Sequence, residues 1–164
     1  MKRVLVVSDT HGHNEKLKKL LEMLPAPDVF IHCGDGEGLE HTIGYLLDPR
    51  CEIHMVHGNC DTRTVLTGID RFTLGKHTCM LVHGHRHGVR YGLSDLAEAA
   101  QQRGCSVCFF GHTHVPVIEE RMGVLCINPG SLTYPRQEGR ASTYLQIEVD
   151  EDGEWHLDPG ALSG

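Results

Sequence analysis

In the second half of the chain an apolar run, Cys108-Phe109-Phe110, ends at Gly111 and releases two imidazoles one residue apart, His112 and His114, ahead of Val115-Pro116. A buried strand that stops in this way can offer two metal ligands at its carboxyl edge, where sites collect in α/β sheets. With 13 histidines in 164 residues, one close pair is a weak signal. Other strand-like runs end alike. Residues 4–7 lead into Ser8-Asp9-Thr10-His11-Gly12, 29–31 into Gly34-Asp35-Gly36-Glu37-Gly38, and 53–56 into His57-Gly58-Asn59-Cys60-Asp61. Residues 78–82 lead into His83-Gly84-His85-Arg86-His87, and 124–127 into Asn128-Pro129-Gly130-Ser131. Singly, each has a structural reading: Asp9 as a helix cap, Asp35 and Asn59 as turn residues, the Pro-Gly pair as a turn. Together they supply Asp9, His11, Asp35, Asn59, His83, His112 and His114, all oxygen or imidazole donors. That set suits Mn, Fe, Zn, Ni or Co and requires no thiolate. It exceeds what one first-row ion needs and matches two ions sharing a carboxylate.

The elements needed to bring these turns together are legible. Residues 1–7 form a β-branched run typical of a strand buried on both faces. Leu17, Leu20, Leu21 and Leu24 recur at helical spacing behind a possible Asn14 cap, with Pro25 and Pro27 as the stop. A second strand spans 28–33, a weakly helical stretch 39–47 and a third strand 53–56; residues 63–70 carry no pattern. Residues 72–74 and 78–82 read as a hairpin, and 94–103 as an amphipathic helix capped by Ser94 and ended by Gly104. Strands follow at 105–110, 115–119, 124–127, 143–149 and 154–157. The order βαβαβ, then a strand-rich half with one helix, predicts an α/β fold of two sheets with helices outside.

Composition narrows the function classes. A chain of this length is most simply one domain, 1–164. No stretch approaches the ~20 apolar residues needed to cross a bilayer, and Met1-Lys2-Arg3 runs directly into a strand without a signal-peptide core, so the expected location is the cytoplasm. The seven cysteines are odd in number and sit mostly in apolar segments, as free thiols in a reducing compartment do. Cys105 and Cys108 have CxxC spacing, but residues three apart on a strand face opposite sides, which disfavours a redox pair. A formal charge of -7 disfavours nucleic acid and membrane surfaces as partners. Leu39 stands where a dinucleotide-binding fingerprint needs glycine, and His77 where a phosphate-binding P-loop needs Ser or Thr.

The order Asp-x-His, Gly-Asp, Gly-Asn-x-Asp, His-Gly-His and Gly-His-x-His resembles the calcineurin-like metallophosphoesterase superfamily, and in particular its small YfcE-type phosphodiesterase members. The likeness runs from Lys2 to about Val149. It implies a four-layer α/β/β/α sandwich of two mixed sheets around a dinuclear centre. One ion would take Asp9, His11, Asp35 and His114, and the other Asp35, Asn59, His83 and His112, with Asp35 bridging; Mn or Ni is favoured. The implied reaction is hydrolysis of a small phosphodiester by a metal-bridging hydroxide, with no phosphoenzyme intermediate. Asp35 and Asn59 would serve it from the metal centre.

The family often has histidine, near the leaving-group oxygen, where this chain has Cys60. A thiol donates hydrogen bonds poorly and provides no cation; the resemblance to small members with the same Gly-Asn-Cys-Asp implies phosphodiesters, especially activated ones, and His85 is a candidate substitute donor. Asp61 matches the residue that would orient the missing histidine. The alternatives are a phosphomonoesterase and a non-catalytic binding scaffold resembling the small retromer subunit. A serine hydrolase is disfavoured, because Ser131 lies in no nucleophile elbow. The expected partner is a small phosphoester, and the resemblance is compatible with a homo-oligomer.

Overall fold

The computed structural model describes residues 1–162. Its elements, in chain order, are β1 (Lys2–Val7), α1 (Glu15–Met23), β2 (Val29–His32), two 3-10 turns (Leu39–His41 and Ile43–Tyr45), β3 (Glu52–Met55), β4 (Ile69–Leu74) and β5 (His77–Val82). There follow α2 (Ser94–Gln102), β6 (Val107–Phe109), β7 (Val117–Arg121), β8 (Val124–Asn128), β9 (Ser142–Val149) and β10 (Trp155–Leu162).

The β-branched run of β1 lies at the middle of a sheet ordered β10-β9-β1-β2-β3, in which β1, β2 and β3 are parallel. The second sheet is ordered β4-β5-β6-β8-β7, with β5, β6 and β8 parallel and β4 and β7 antiparallel on its edges. Alternation decides the layers. Val4 and Val6 of β1 enter a core between the sheets with Ile31, Leu81, Phe109 and Ile127. Leu5 and Val7 face the other way, onto Leu17 and Leu20 of α1. On the far side of the second sheet, Leu96, Ala97 and Ala100 of α2 pack on Met80, Cys108 and Phe110. The result is the expected four-layer sandwich, held by three apolar cores in which each fully buried Leu, Ile or Phe contributes roughly 1.5–3 kcal/mol.

Local details differ from the expectations. Residues 39–47 form two 3-10 turns and no α-helix; Gly38, at φ 98, precedes the first turn, and Gly44, a poor helix former, lies within the second. Ser94 is the first residue of α2 and does not cap it, since its Oγ accepts a bond from Arg121 Nη1 at 3.3 Å. Asn14 occupies the N-cap of α1 without a side-chain capping bond. The unpatterned stretch contains the start of β4, recruited at Ile69 by pairing with Val82 of β5. Strand β10 runs past Leu157 to Leu162 and tolerates Pro159 because it is an edge strand. Cys105 precedes β6 and turns inward, so it shares the α2-side core with Cys108 and does not face away from it. Both are free thiols.

Candidate metal centre

The carboxyl ends of β1, β2, β3, β5 and β6 meet at one edge of the sandwich. Six residues there take left-handed backbone conformations although none is glycine: Asp9 (φ 55), Asp35 (φ 58), His11 (φ 49), Glu37 (φ 46), His112 (φ 72) and His114 (φ 62). Such conformations are uncommon outside glycine and concentrate at functional sites, where the surrounding fold over-determines them. Two glycines make the approach possible. A Cβ on Gly58 would lie 2.2 Å from Asp35 Oδ1, and one on Gly111 would lie 2.2 Å from Ser8 Oγ and 2.5 Å from Asp9 Oδ2.

All seven residues singled out by spacing are neighbours. Asp9 Oδ1 lies 3.2 Å from His114 Nε2, 3.7 Å from His11 Nε2 and 3.8 Å from His83 Nε2. Asp35 Oδ2 stands between His83 Nε2 at 3.1 Å and His11 Nε2 at 3.8 Å, one imidazole from each of the two expected ligand sets. Next to this group, Asn59 Oδ1 and His112 Nδ1 are 3.1 Å apart, and the His112 ring centroid is 5.1 Å from that of His83.

The donor set fits divalent cations by a test internal to the protein. His11 Nδ1 donates to Glu37 Oε1 at 2.7 Å, His83 Nδ1 to the Cys33 carbonyl at 2.7 Å, and His114 Nδ1 to the Tyr134 carbonyl at 2.7 Å. In the neutral ring, an acceptor on Nδ1 fixes the tautomer and leaves a lone pair on Nε2, the arrangement that orients metal-binding histidines. Two atoms inside the group, Asp9 Oδ1 and His83 Nε2, are buried without a hydrogen-bond partner. Such atoms are costly unless something else satisfies them.

The charges agree. The Asp9 carboxyl is fully buried, which opposes ionisation, yet His11, His114, His83 and Ser8 hold it well below the ordinary carboxylate range. Burial also works against ionisation of Asp35, but His83 and the Cys60 amide outweigh it and lower its pKa. The pKa of His11 is raised to about 9 by Asp9, with Glu37 adding to the effect and burial opposing it. Burial, His83 and Arg90 bring His112 down to about 4.

The remaining expected residues divide. Cys60 is exposed, its amide donates to Asp35 Oδ1 at 2.9 Å, and burial of the thiol together with the Asp35 charge pushes its pKa up to about 11. His85 lies 5.4 Å from the His83 ring and 6.2 Å from the His112 ring; burial, His83 and Arg86 lower its pKa. Asp61, whose role is left open by the missing histidine, uses its carboxylate to accept the amides of Asp35, Glu37 and Gly58.

Several supporting residues were not among the expected ligands. Ser131 Oγ donates to the Asp9 carbonyl at 2.8 Å, and Asn128 Nδ2 to the Gly111 carbonyl at 3.1 Å, so the segment read as a turn ties the β1 and β6 loops together. His32, held near 4 by burial and therefore neutral, joins Thr10 to the Gly34 amide. Arg90 Nε donates to His112 Nε2 at 3.2 Å.

A model of the calcineurin-like phosphoesterase superfamily domain matches residues 1–152. The chain belongs to this superfamily. Among its phosphoesterase relatives, the probable metallophosphoesterase YsnB of Bacillus subtilis is 36% identical over 150 residues, covering 91% of this chain and 85% of YsnB. The phosphodiesterase YfcE of Escherichia coli is 25% identical over 172 residues, covering 92% and 89%. A predicted phosphoesterase from Streptococcus pneumoniae, of known structure, has a TM-score of 0.77 at 26% identity and covers 98% of this chain and 89% of its own. The fold is also similar to that of Vps29 of Entamoeba histolytica, solved with zinc, at a TM-score of 0.75 and 21% identity over 97% and 98% of the two chains.

Proposed function

We propose that this phosphoesterase hydrolyses small phosphodiesters with two divalent metal ions, manganese or nickel for preference. The observation that carries the reading is the orphaned Asp9 Oδ1 and His83 Nε2 among imidazoles whose Nε2 lone pairs converge. Asp9, His11, Asp35 and His114 would hold one ion, and Asp35, Asn59, His83 and His112 the other. When bound, such a pair lowers the pKa of a water toward neutrality and offsets the negative charge that develops on phosphoryl oxygens.

The chain's own residues supply the rest. Asp35 would hold the shared position; in support, its Oδ2 lies between His11 and His83 while the Cys60 amide holds Oδ1. Glu37 and the carbonyls of Cys33 and Tyr134 keep three imidazoles oriented. Cys60 remains a protonated thiol and His85 a neutral imidazole, so each can donate a hydrogen bond toward a leaving group but neither brings a cation. Diesters with good leaving groups need the least help of that kind, which is why they are preferred here to monoesters.

Free thiols support work in the cytoplasm. No described helix is long and apolar enough to cross a membrane. The test is hydrolysis of bis-p-nitrophenyl phosphate with added manganese or nickel. Activity should require the metal and fall at least a hundredfold in Asp35→Asn. Absence of metal-dependent hydrolysis of any diester or monoester would leave a binding scaffold as the better reading.

A further inference from the structure

A second donor cluster lies on the solvent side of the seven-residue group. One imidazole nitrogen of His11, a carboxylate oxygen of Glu37 and Sγ of Cys60 lie within 4.8 Å of one another. They come from three loops, those after β1, β2 and β3, and their backbones are pinned. The His11 amide donates to the Asp35 carbonyl at 2.8 Å, the Glu37 amide to Asp61 Oδ1 at 2.7 Å, and the Cys60 amide to Asp35 Oδ1 at 2.9 Å. Little rearrangement is therefore needed to bring the donors onto one ion, and pre-organisation of this kind is what separates a site from a chance cluster. Glu37 and Cys60 are both exposed, so a cation can reach them from solvent.

The chemistry of this cluster differs from that of its neighbour. The seven-residue group offers nitrogen and oxygen only, whereas here a sulfur joins one nitrogen and one oxygen. Thiolate shifts selectivity toward zinc, cadmium and cobalt and away from manganese, and three protein ligands leave a fourth tetrahedral position for water.

We infer that His11, Glu37 and Cys60 form a separate site for a thiophilic divalent cation, zinc in the cell, and that filling it inhibits the hydrolase by drawing His11 away from Asp9 and His114. The inhibitory half rests on the proposed hydrolase; the binding half does not. On binding, the Cys60 S–H bond breaks, its proton passes to solvent, and the sulfur donates to the cation; nothing is oxidised or reduced.

The experiment titrates cobalt(II) into manganese-loaded protein while following absorption in the near ultraviolet, where sulfur-to-cobalt charge transfer appears. The wild type should show the band, Cys51→Ser should keep it, Cys60→Ser should lose it, and Glu37→Gln should need at least tenfold more cobalt. In parallel, zinc inhibition is measured against each variant's own manganese-supported rate, and the half-inhibiting concentration should rise at least tenfold in Cys60→Ser and Glu37→Gln. No charge-transfer band in the wild type, or an undiminished band in Cys60→Ser, overturns the site. Equal zinc sensitivity in all three proteins means that zinc merely replaces manganese among the seven donors, and overturns the inhibition. If no metal supports hydrolysis, the hydrolase reading fails while the cobalt band still decides the site.

Discussion

Asp61 Oδ2 accepts a hydrogen bond from the Asp35 amide at 2.9 Å and a second from the Gly58 amide at 2.7 Å, which locks the β2 and β3 loops to one carboxylate. Asp61 is in none of the candidate ligand positions. In Asp61→Asn one acceptor oxygen becomes an amide donor facing backbone N–H groups, and the charge assistance is lost. Metal affinity should fall roughly 10–100-fold, as for other groups that orient ligands. Isothermal titration with manganese checks this; unchanged affinity would mean that the loops hold themselves.

Metal loading should stabilise the fold, because it satisfies Asp9 Oδ1 and His83 Nε2. At an ion concentration 100 times Kd the gain is about 2.7 kcal/mol. For a chain of this size that raises Tm by roughly 5–10 °C. Differential scanning calorimetry with manganese and then with a chelator should show the rise and its reversal, and Asp35→Asn should abolish most of it.

The raised pKa of His11 sets a pH dependence. In metal-free protein the imidazolium is favoured by Asp9 and Glu37 and titrates near 9. Its ordinary value is about 6.5. The stability it contributes is complete below about 6.5 and is lost as pH rises through 9. A cation requires the neutral ring. Metal binding at pH 7 should therefore release a proton, and affinity should climb with pH and level off near 9. Calorimetry in two buffers of different ionisation enthalpy measures the proton released; the same release in His11→Asn would assign it to another group.

Cys60→His should speed hydrolysis of esters with poor leaving groups by roughly tenfold or more, since an imidazole donates better than a thiol held near 11. Esters of p-nitrophenol should change little. A series of diesters spanning leaving-group pKa gives the slope, and equal slopes for the two proteins would remove Cys60 from the proton-donor position.

Gly111→Ala should disable the centre while α2 and the inter-sheet core stay intact, because its Cβ would lie 2.2 Å from Ser8 Oγ and 2.5 Å from Asp9 Oδ2. The variant should fold by circular dichroism and lose the metal-induced rise in Tm. A normal rise would show that the β1 loop can yield.

The candidate donors were legible in the chain because each follows a short apolar run. A strand end is a local feature: parallel pairing of β1 with β2 sets Asp9 beside Asp35, and that of β5 with β6 sets His83 beside His112, while the stacking of the two sheets brings the pairs together. The two-sheet architecture was legible for the same reason, since alternation in β1 separates Val4 and Val6 from Leu5 and Val7. Helix starts were less so: Ser94 and Asn14 have the right chemistry for caps, but tertiary contacts or geometry gave their side chains other settings. Only the folded chain decided which nitrogen of each histidine faces the centre, because the deciding acceptors, such as the Tyr134 carbonyl 20 residues from His114, are remote in sequence. The Asp61 clamp, the bracing of Asp9 by Ser131 across 122 residues, and the meeting of His11, Glu37 and Cys60 were likewise tertiary outcomes. Spacing along a strand specifies what a loop can offer; the direction in which it offers it is set by hydrogen bonds to partners that the packing of the sheets brings near.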